Sequence, residues 1–339
     1  IAHHVAQSPA AAGVGLVSLG WLFALTFQGV VAELFRGFSA FKKATLFGGV
    51  ATSLLTLSLM GGIYLSGHSL NLAEVILYVA MATAGSLVFA LFFIIRKLLS
   101  LPPESSPFTM GRILRESAPL WGGSLVMFLV LQADIWILAQ VRSQEEVAIY
   151  GATTRLVMLI SLPLAIVNAV VPPIMARFYV RGQIPELERI LRSVATVTGL
   201  PILFFGLLAL PFAEWILVTI FGVRFAAGEI AFQLLCLAQI INVMMGSSGI
   251  LLVQASKERL LMRITLVTGV VTVLSTYFLG DRYGLNGVAL GTGLGVIMQN
   301  FSTWLACKRI LNINTMSYSP ASLPALYARY GHVLGLGSR

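Results

Sequence analysis

Five stretches of this chain, Ala10–Val31, Ala44–Gly67, Val75–Ile95, Ile230–Ser256 and Ile264–Gly280, contain no Asp, Glu, Lys or Arg. Four more, Ala118–Val141, Val147–Ala176, Val194–Phe221 and Tyr283–Cys307, carry at most one charge each. A helix needs roughly 20 apolar residues to cross a hydrocarbon layer of about 30 Å, so these blocks predict nine membrane spans. Barrel strands are excluded because they alternate apolar and polar residues, whereas these blocks are apolar on every face. In lipid a continuous apolar segment satisfies its backbone only as a helix. Over 339 residues the chain is 58% hydrophobic and 10% charged, too little polar surface for a water-soluble domain. The expected fold is an all-α integral membrane protein.

The basic residues set an expected orientation. Eighteen of the 22 Lys and Arg lie in the connections after spans one, three, five and seven and in the C-terminal tail. Three (Arg142, Arg224 and Arg282) lie on the other side, and Arg155 falls inside a span. The positive-inside rule places the first group and the C-terminus in the cytoplasm, as expected for a multi-pass protein of the cell inner (plasma) membrane. A net charge of +9 then reads as a rim facing anionic lipid. It does not point to nucleic acid, since no aromatic-interleaved basic patch accompanies it.

The Pro/Ser-rich run LPPESSP divides the chain. Residues 1–97 hold three spans, 98–110 a cytoplasmic linker, 111–310 six spans, and 311–339 a cytoplasmic tail with weak periodicity and little expected order. The segments MGRILRESAPLW and IPELERILRS read as amphipathic interfacial pieces. The odd span count and the start at Ile1 are what a chain lacking its natural N-terminus would show. Gly287, Gly291 and Gly295 put small residues on one face of the ninth span, where another helix can approach closely. Pro163, Pro172, Pro173, Pro201 and Pro211 predict bends.

Ionisable groups inside a bilayer are expensive and face a partner or a wet cavity. Asp134 lies about 10 Å, and Arg155 about 12 Å, from the same side of the membrane on consecutive antiparallel spans, so an Asp134–Arg155 ion pair is expected. Uncharged polar residues recur in the same spans, Gln132, Gln140, Asn168, Gln233, Gln239, Asn242, Gln254, Gln299 and Asn300; Asn168, Gln239 and Asn242 are cavity candidates, the last two the better ones. Gln239 and Asn242 share one helix face. Metal sites and cofactors are not expected. His3 and His4 lack nearby acids or thiols, and Cys236 and Cys307 sit within spans. There is no G-x-x-x-x-G-K-[ST] loop and no H-E-x-x-H, and no connection is long enough for an enzymatic domain. The triplet Asn300-Phe301-Ser302 lies in a span and carries no glycosylation signal.

The stretch ESAPLWGGSLVMFLVLQADIWILAQVRSQEEVAIYGATTRLVMLISLPLAIVNAVVPPIMARFY resembles the polysaccharide-biosynthesis (Wzx-like) flippases of the multidrug/oligosaccharidyl-lipid/polysaccharide (MOP) exporter superfamily. Pro119 enters a helix, Asp134 nears its outer end, Tyr150 opens the next helix, Arg155 follows and Pro173 closes it. FGVRFAAGEIAFQLLCLAQIINVMMGSSGILLVQAS, RYGLNGVALGTGLG and Glu33-Leu34-Phe35-Arg36-Gly37 are similar to further segments of that family. The resemblance implies two six-helix bundles, of which this chain would hold the last three helices of the first and all of the second. It implies alternating-access movement of a lipid-linked oligosaccharide, carried on undecaprenyl diphosphate, from the cytoplasmic to the outer leaflet. Arg155 would meet an anionic sugar or diphosphate with Asp134 orienting it. Arg36 and Arg115 would stand at the cytoplasmic mouth, and the partners would be membrane lipids and other glycan-assembly membrane proteins. A drug or metabolite cation antiporter of the same superfamily is the alternative. A membrane glycosyltransferase or polymerase is a third reading, against which the short loops argue.

The orientation has a direct check. A reporter active only outside the membrane should be silent when fused after Lys97 or Asn312 and active within residues 66–74 or beside Arg282. Activity at both Lys97 and Asn312 would reverse the assignment.

Overall fold

The structure, a computed structural model, describes residues 15–38, 40–67, 71–100 and 132–318, together with Gly111, Leu114, Ser117 and Phe128. The described residues are helical with short connections and contain no strand. Seven helices are long and apolar enough to cross a membrane. One of them, Glu258–Leu311, folds back on itself, so it provides both the eighth and the ninth expected spans. Of the fourth span, residues 132–141 are helical. Most of its earlier part, with the linker and the piece MGRILRESAPLW, lies outside the described residues.

The chain forms two compact units, Ile1–Ile113 and Leu114–Arg339. In the first, α1 (Gly15–Gly37), α2 (Phe41–Leu65) and α3 (Leu72–Leu99) pack together. Asn71 and Glu74 close a capping box at the start of α3, satisfying donors the helix cannot use itself. Phe35, Phe47 and Ala90 form the core. Gln28 is buried there, and its amide lies 2.6 Å from the Phe47 carbonyl and 2.7 Å from the Thr52 hydroxyl. The carbonyl belongs to a π turn, Leu46–Val50, so a side chain from α1 satisfies backbone at the irregular point of α2.

The second unit begins with α4, residues 132–141. Ser143 then caps α5 (Gln144–Val170) by accepting from the Glu146 N–H. The expected span Val147–Ala176 is broken at Val171, where Pro172 opens the short α6 (Pro172–Val180). Pro172 takes the first turn of the new helix, where its missing N–H costs no bond, whereas Pro163 and Pro201 lie inside α5 and the following long helix. IPELERILRS is not a separate interfacial piece. It is the first turns of α7 (Ile184–Ala209), continuous with the sixth span. Next come α8 (Ala213–Phe221), α9 (Glu229–Met245) and α10 (Ser248–Gln254). The helical run Glu258–Ala306 completes the unit and divides at Gly284 into α11 (258–283) and α12 (285–306).

That division is a hairpin. Gly284 has φ +60°, a conformation only glycine adopts readily. The Glu146 carboxylate accepts from the Leu285 N–H (3.1 Å), and Arg142 donates to the Gly280 and Asp281 carbonyls. The two arms then run antiparallel at very short range. Gly287 abuts the Leu279 carbonyl, Gly291 the Thr276 backbone and Gly295 the Thr272 side chain. A Cβ at Gly291 would lie 2.6 Å from the Thr276 Cα.

Residues 312–318 correct an expectation of little order for the tail, the remainder of which, 319–339, lies outside the described residues. Residues 312–318 form a strap in which Ile313 and Thr315 are fully buried. The Thr315 hydroxyl donates to the Met245 carbonyl (2.8 Å) and the Ser317 N–H to that of Met244 (2.9 Å). The Tyr318 N–H donates to Thr196, and Arg192 lies over the Tyr318 ring. The cause is the end of α9 at Gly246, φ +71°. Its last carbonyls lack intrahelical partners, and an extended segment supplies donors that no periodicity would announce. Cys236 and Cys307 are both buried and unpaired.

The hairpin predicts a contrast between glycines. Gly291→Ala drives a methyl into backbone and should destabilise by at least about 1–3 kcal/mol. Gly85→Ala on α3, where nothing lies within 4 Å of the added carbon, should be neutral or stabilise by up to about 1 kcal/mol. Thermal unfolding in detergent measures both, and equal shifts would contradict the close approach.

Candidate functional site

A cavity of about 260 Å³ lies among α4, α9, α11 and α12 of the second unit. Asp134 of α4, Gln239 and Asn242 of α9, and Gln299 and Asn300 of α12 line it. From α11 come Thr265, Thr268, Thr272 and Thr276. Their spacing puts all four threonines on one helix face. That stripe is present in the sequence, and it is the signal that reading for charged and amide residues overlooks.

Asp134 answers to a different partner from the one its depth suggests. Its Oδ2 accepts from the Tyr150 hydroxyl at 2.8 Å, and that hydroxyl lies 3.3 Å from Thr292 Oγ1. One phenol therefore ties α4, α5 and α12 together, with the ring fully buried. The other carboxylate oxygen accepts from the Ile135 N–H at 2.8 Å. The expected Asp134–Arg155 pair does not form. Tyr150, Thr153, Val157 and Leu164 make the buried face of α5, and Arg155 lies five residues past Tyr150, about 140° around the helix. Its side chain is exposed, and it makes no ion pair or hydrogen bond. Arg155 is out of helical phase with the buried face that meets Asp134.

The amides are partly committed. Asn242 Nδ2 donates to Gln239 Oε1 at 2.9 Å, leaving Gln239 a free NH₂ and Asn242 a free oxygen. Gln299 is engaged at both ends, by Thr268 and by Thr265. Asn300 donates to the Val296 carbonyl (2.8 Å) and keeps its oxygen free. The Thr276 hydroxyl has no partner and packs against Gly291.

Of the other candidates, Asn168 stands apart from this cavity. It accepts from the Ser247 hydroxyl beside the break at Gly246, a bond that holds the break in place. Arg36, in the first unit, pairs with Glu33 and borders an open groove with Thr45 and Gly48. Arg115 lies outside the described residues. Among the described residues no three His, Cys, Asp or Glu side chains converge as metal ligands would.

Comparison with known proteins bears on this arrangement of helices around a polar cavity. The sequence profile of a family described as "Polysaccharide biosynthesis protein" matches residues 12–179. No curated protein matches the chain in sequence. The fold is shared with solved transporters. A Vibrio cholerae MATE transporter, VcmN, superposes with TM-score 0.63 at 15% identity, covering 89% of this chain and 70% of that one. A MATE protein in complex with MaL6 gives 0.58 at 18%, covering 85% and 67%. A MOP superfamily transporter from Pyrococcus furiosus gives 0.54 at 16%, covering 88% and 78%. With its seven long apolar helices, the chain is a multi-pass membrane protein with the fold of these transporters.

The geometry around Asp134 predicts a pattern of coupling. In a double-mutant cycle, Tyr150→Phe and Asp134→Asn should couple by about 1–3 kcal/mol, the range for hydrogen bonds to charged groups. Asp134→Ala and Arg155→Ala should be additive within about 0.5 kcal/mol. Coupling between Asp134 and Arg155 with none to Tyr150 would contradict the assignment.

Proposed function

We propose that this protein is a flippase that carries a lipid-linked oligosaccharide from the cytoplasmic to the outer leaflet of the inner membrane by alternating access, with its C-terminus in the cytoplasm. The observation that carries the reading is the polar cavity, walled by amides and threonines, inside an otherwise apolar helical unit, in a chain whose residues 12–179 match the polysaccharide biosynthesis family. Carbohydrates are recognised by such groups, and a buried polar lining costs folding energy that packing alone would not select. The carrier is a polyprenyl diphosphate. Arg155, exposed and unpaired on the far face of α5, is the cation available to it, and Arg36 and Arg115 recruit the headgroup from the basic side.

One observation favours a second reading: Asp134, a carboxylate on the wall of the cavity, is what a cation antiporter would also place there. Deletion of the gene separates the two. The flippase reading predicts loss of a surface glycan, with lipid-linked oligosaccharide retained on the cytoplasmic leaflet, and Arg155→Glu should mimic the deletion while Arg155→Lys retains part of the activity. Normal glycan together with raised sensitivity to cationic drugs, in a strain without a second flippase, would overturn it.

A further inference from the structure

The free hydrogen-bonding groups of the cavity have a definite balance. Asn242 and Asn300 each present an unengaged carbonyl oxygen, and Asp134 presents a carboxylate. Against these stand the Gln239 NH₂, the unpartnered Thr276 hydroxyl and the hydroxyl of Thr265, which accepts from Gln299. The Thr272 hydroxyl donates to the Thr268 carbonyl of its own helix, and that of Thr268 is shared between the Ile264 carbonyl and Gln299. No Lys or Arg is among the described residues lining the cavity. The described lining therefore offers donors and acceptors together, with one carboxylate and no cation.

A diphosphate is an acceptor only, with negative charge. In this cavity it would face the Asp134 carboxylate and two carbonyl oxygens in a medium of low dielectric, where like charge is repelled more strongly than in water. A sugar hydroxyl is both donor and acceptor. Between Gln239 and Asn242, one turn apart on α9, a single hydroxyl can accept from the free NH₂ and donate to the free oxygen. The volume, about 260 Å³, holds one or two sugar rings and not a whole repeat unit.

We infer that this cavity is a subsite for an uncharged, hydroxyl-bearing sugar of the lipid-linked glycan, read by Gln239 and Asn242, and that the diphosphate is held outside it. The inference rests on the flippase reading and adds a division of the substrate to it: the sugar enters the second unit's cavity and the charged linkage does not. Selection among glycan-lipids then comes from the α9 amides, and the lipid phosphate contributes affinity common to all of them.

The test uses the purified full chain in nanodiscs with two probes, a polyprenyl diphosphate bearing a neutral disaccharide and the same lipid without sugar. The sugar-bearing lipid should bind about tenfold more tightly, the effect of one or two hydrogen bonds gained. Asn242→Leu and, separately, Gln239→Leu should bring that ratio close to one while leaving affinity for the sugar-free lipid unchanged, and unfolding temperatures report whether each variant is folded. Equal binding of the two lipids by the unaltered chain, an unchanged ratio in both folded variants, or displacement of the disaccharide lipid by tetraphenylphosphonium would overturn the subsite. Binding of neither lipid would instead remove the flippase reading on which it rests.

Discussion

In hydrocarbon a chain cannot reverse direction and leave its freed backbone groups to water, so every reversal close to a membrane needs protein donors and acceptors. The reversal at Gly284 meets that requirement with two side chains from another connection: Glu146 takes the Leu285 N–H, and Arg142 reaches the carbonyls at the end of α11. A glycine is needed at the turn because φ is positive and because a Cβ would lie 2.8 Å from Glu146. The rest of the second unit follows. The turn fixes the register that brings Gly287, Gly291 and Gly295 against α11, and that close approach holds the threonine face of α11 beside Gln299 and Asn300 of α12. Without the turn there is no common wall and no cavity.

Polar groups elsewhere obey the same economy. Gln28 satisfies a carbonyl in a π turn, Asn168 and Ser247 stitch the break at Gly246, and the strap 312–318 covers the end of α9. Each is a polar residue in an apolar run whose partner is an irregularity of the backbone. The cavity lining differs. The free groups of Gln239, Asn242 and Asn300 face space, and the balance of those groups limits what can occupy it.

The membrane class and the helices were legible because lipid imposes a length and a polarity that local sequence has to match. The glycine ladder was legible for a similar reason, since only small residues at four-residue spacing permit backbone contact. Partners across helices were less so. Depth can be counted from either end of a span, but helical phase depends on which face is buried, and α5 is apolar nearly all round, so nothing local distinguishes the face of Tyr150 from that of Arg155. Asp134 was therefore matched to the wrong side chain. The strap was missed because its order comes from carbonyls 70 residues or more away in sequence. Gln239 and Asn242 were found by their spacing, whereas Thr265, Thr268 and Thr272 attract no notice in a run where threonine passes as β-branched filling.

The account stands on the cavity being a water-accessible polar space inside a helical membrane unit, and thiol chemistry tests that directly. Cys236 and Cys307 are fully buried, so a cysteine introduced elsewhere reports on its own surroundings. A hydrophilic methanethiosulfonate reacts with thiolate, which needs water. Gln239→Cys and Thr272→Cys should therefore be modified in the folded protein in membranes, whereas Phe204→Cys, on an exposed apolar face of α7, should stay unmodified in lipid. Protection of Gln239→Cys and Thr272→Cys to the same degree as Phe204→Cys would contradict the account.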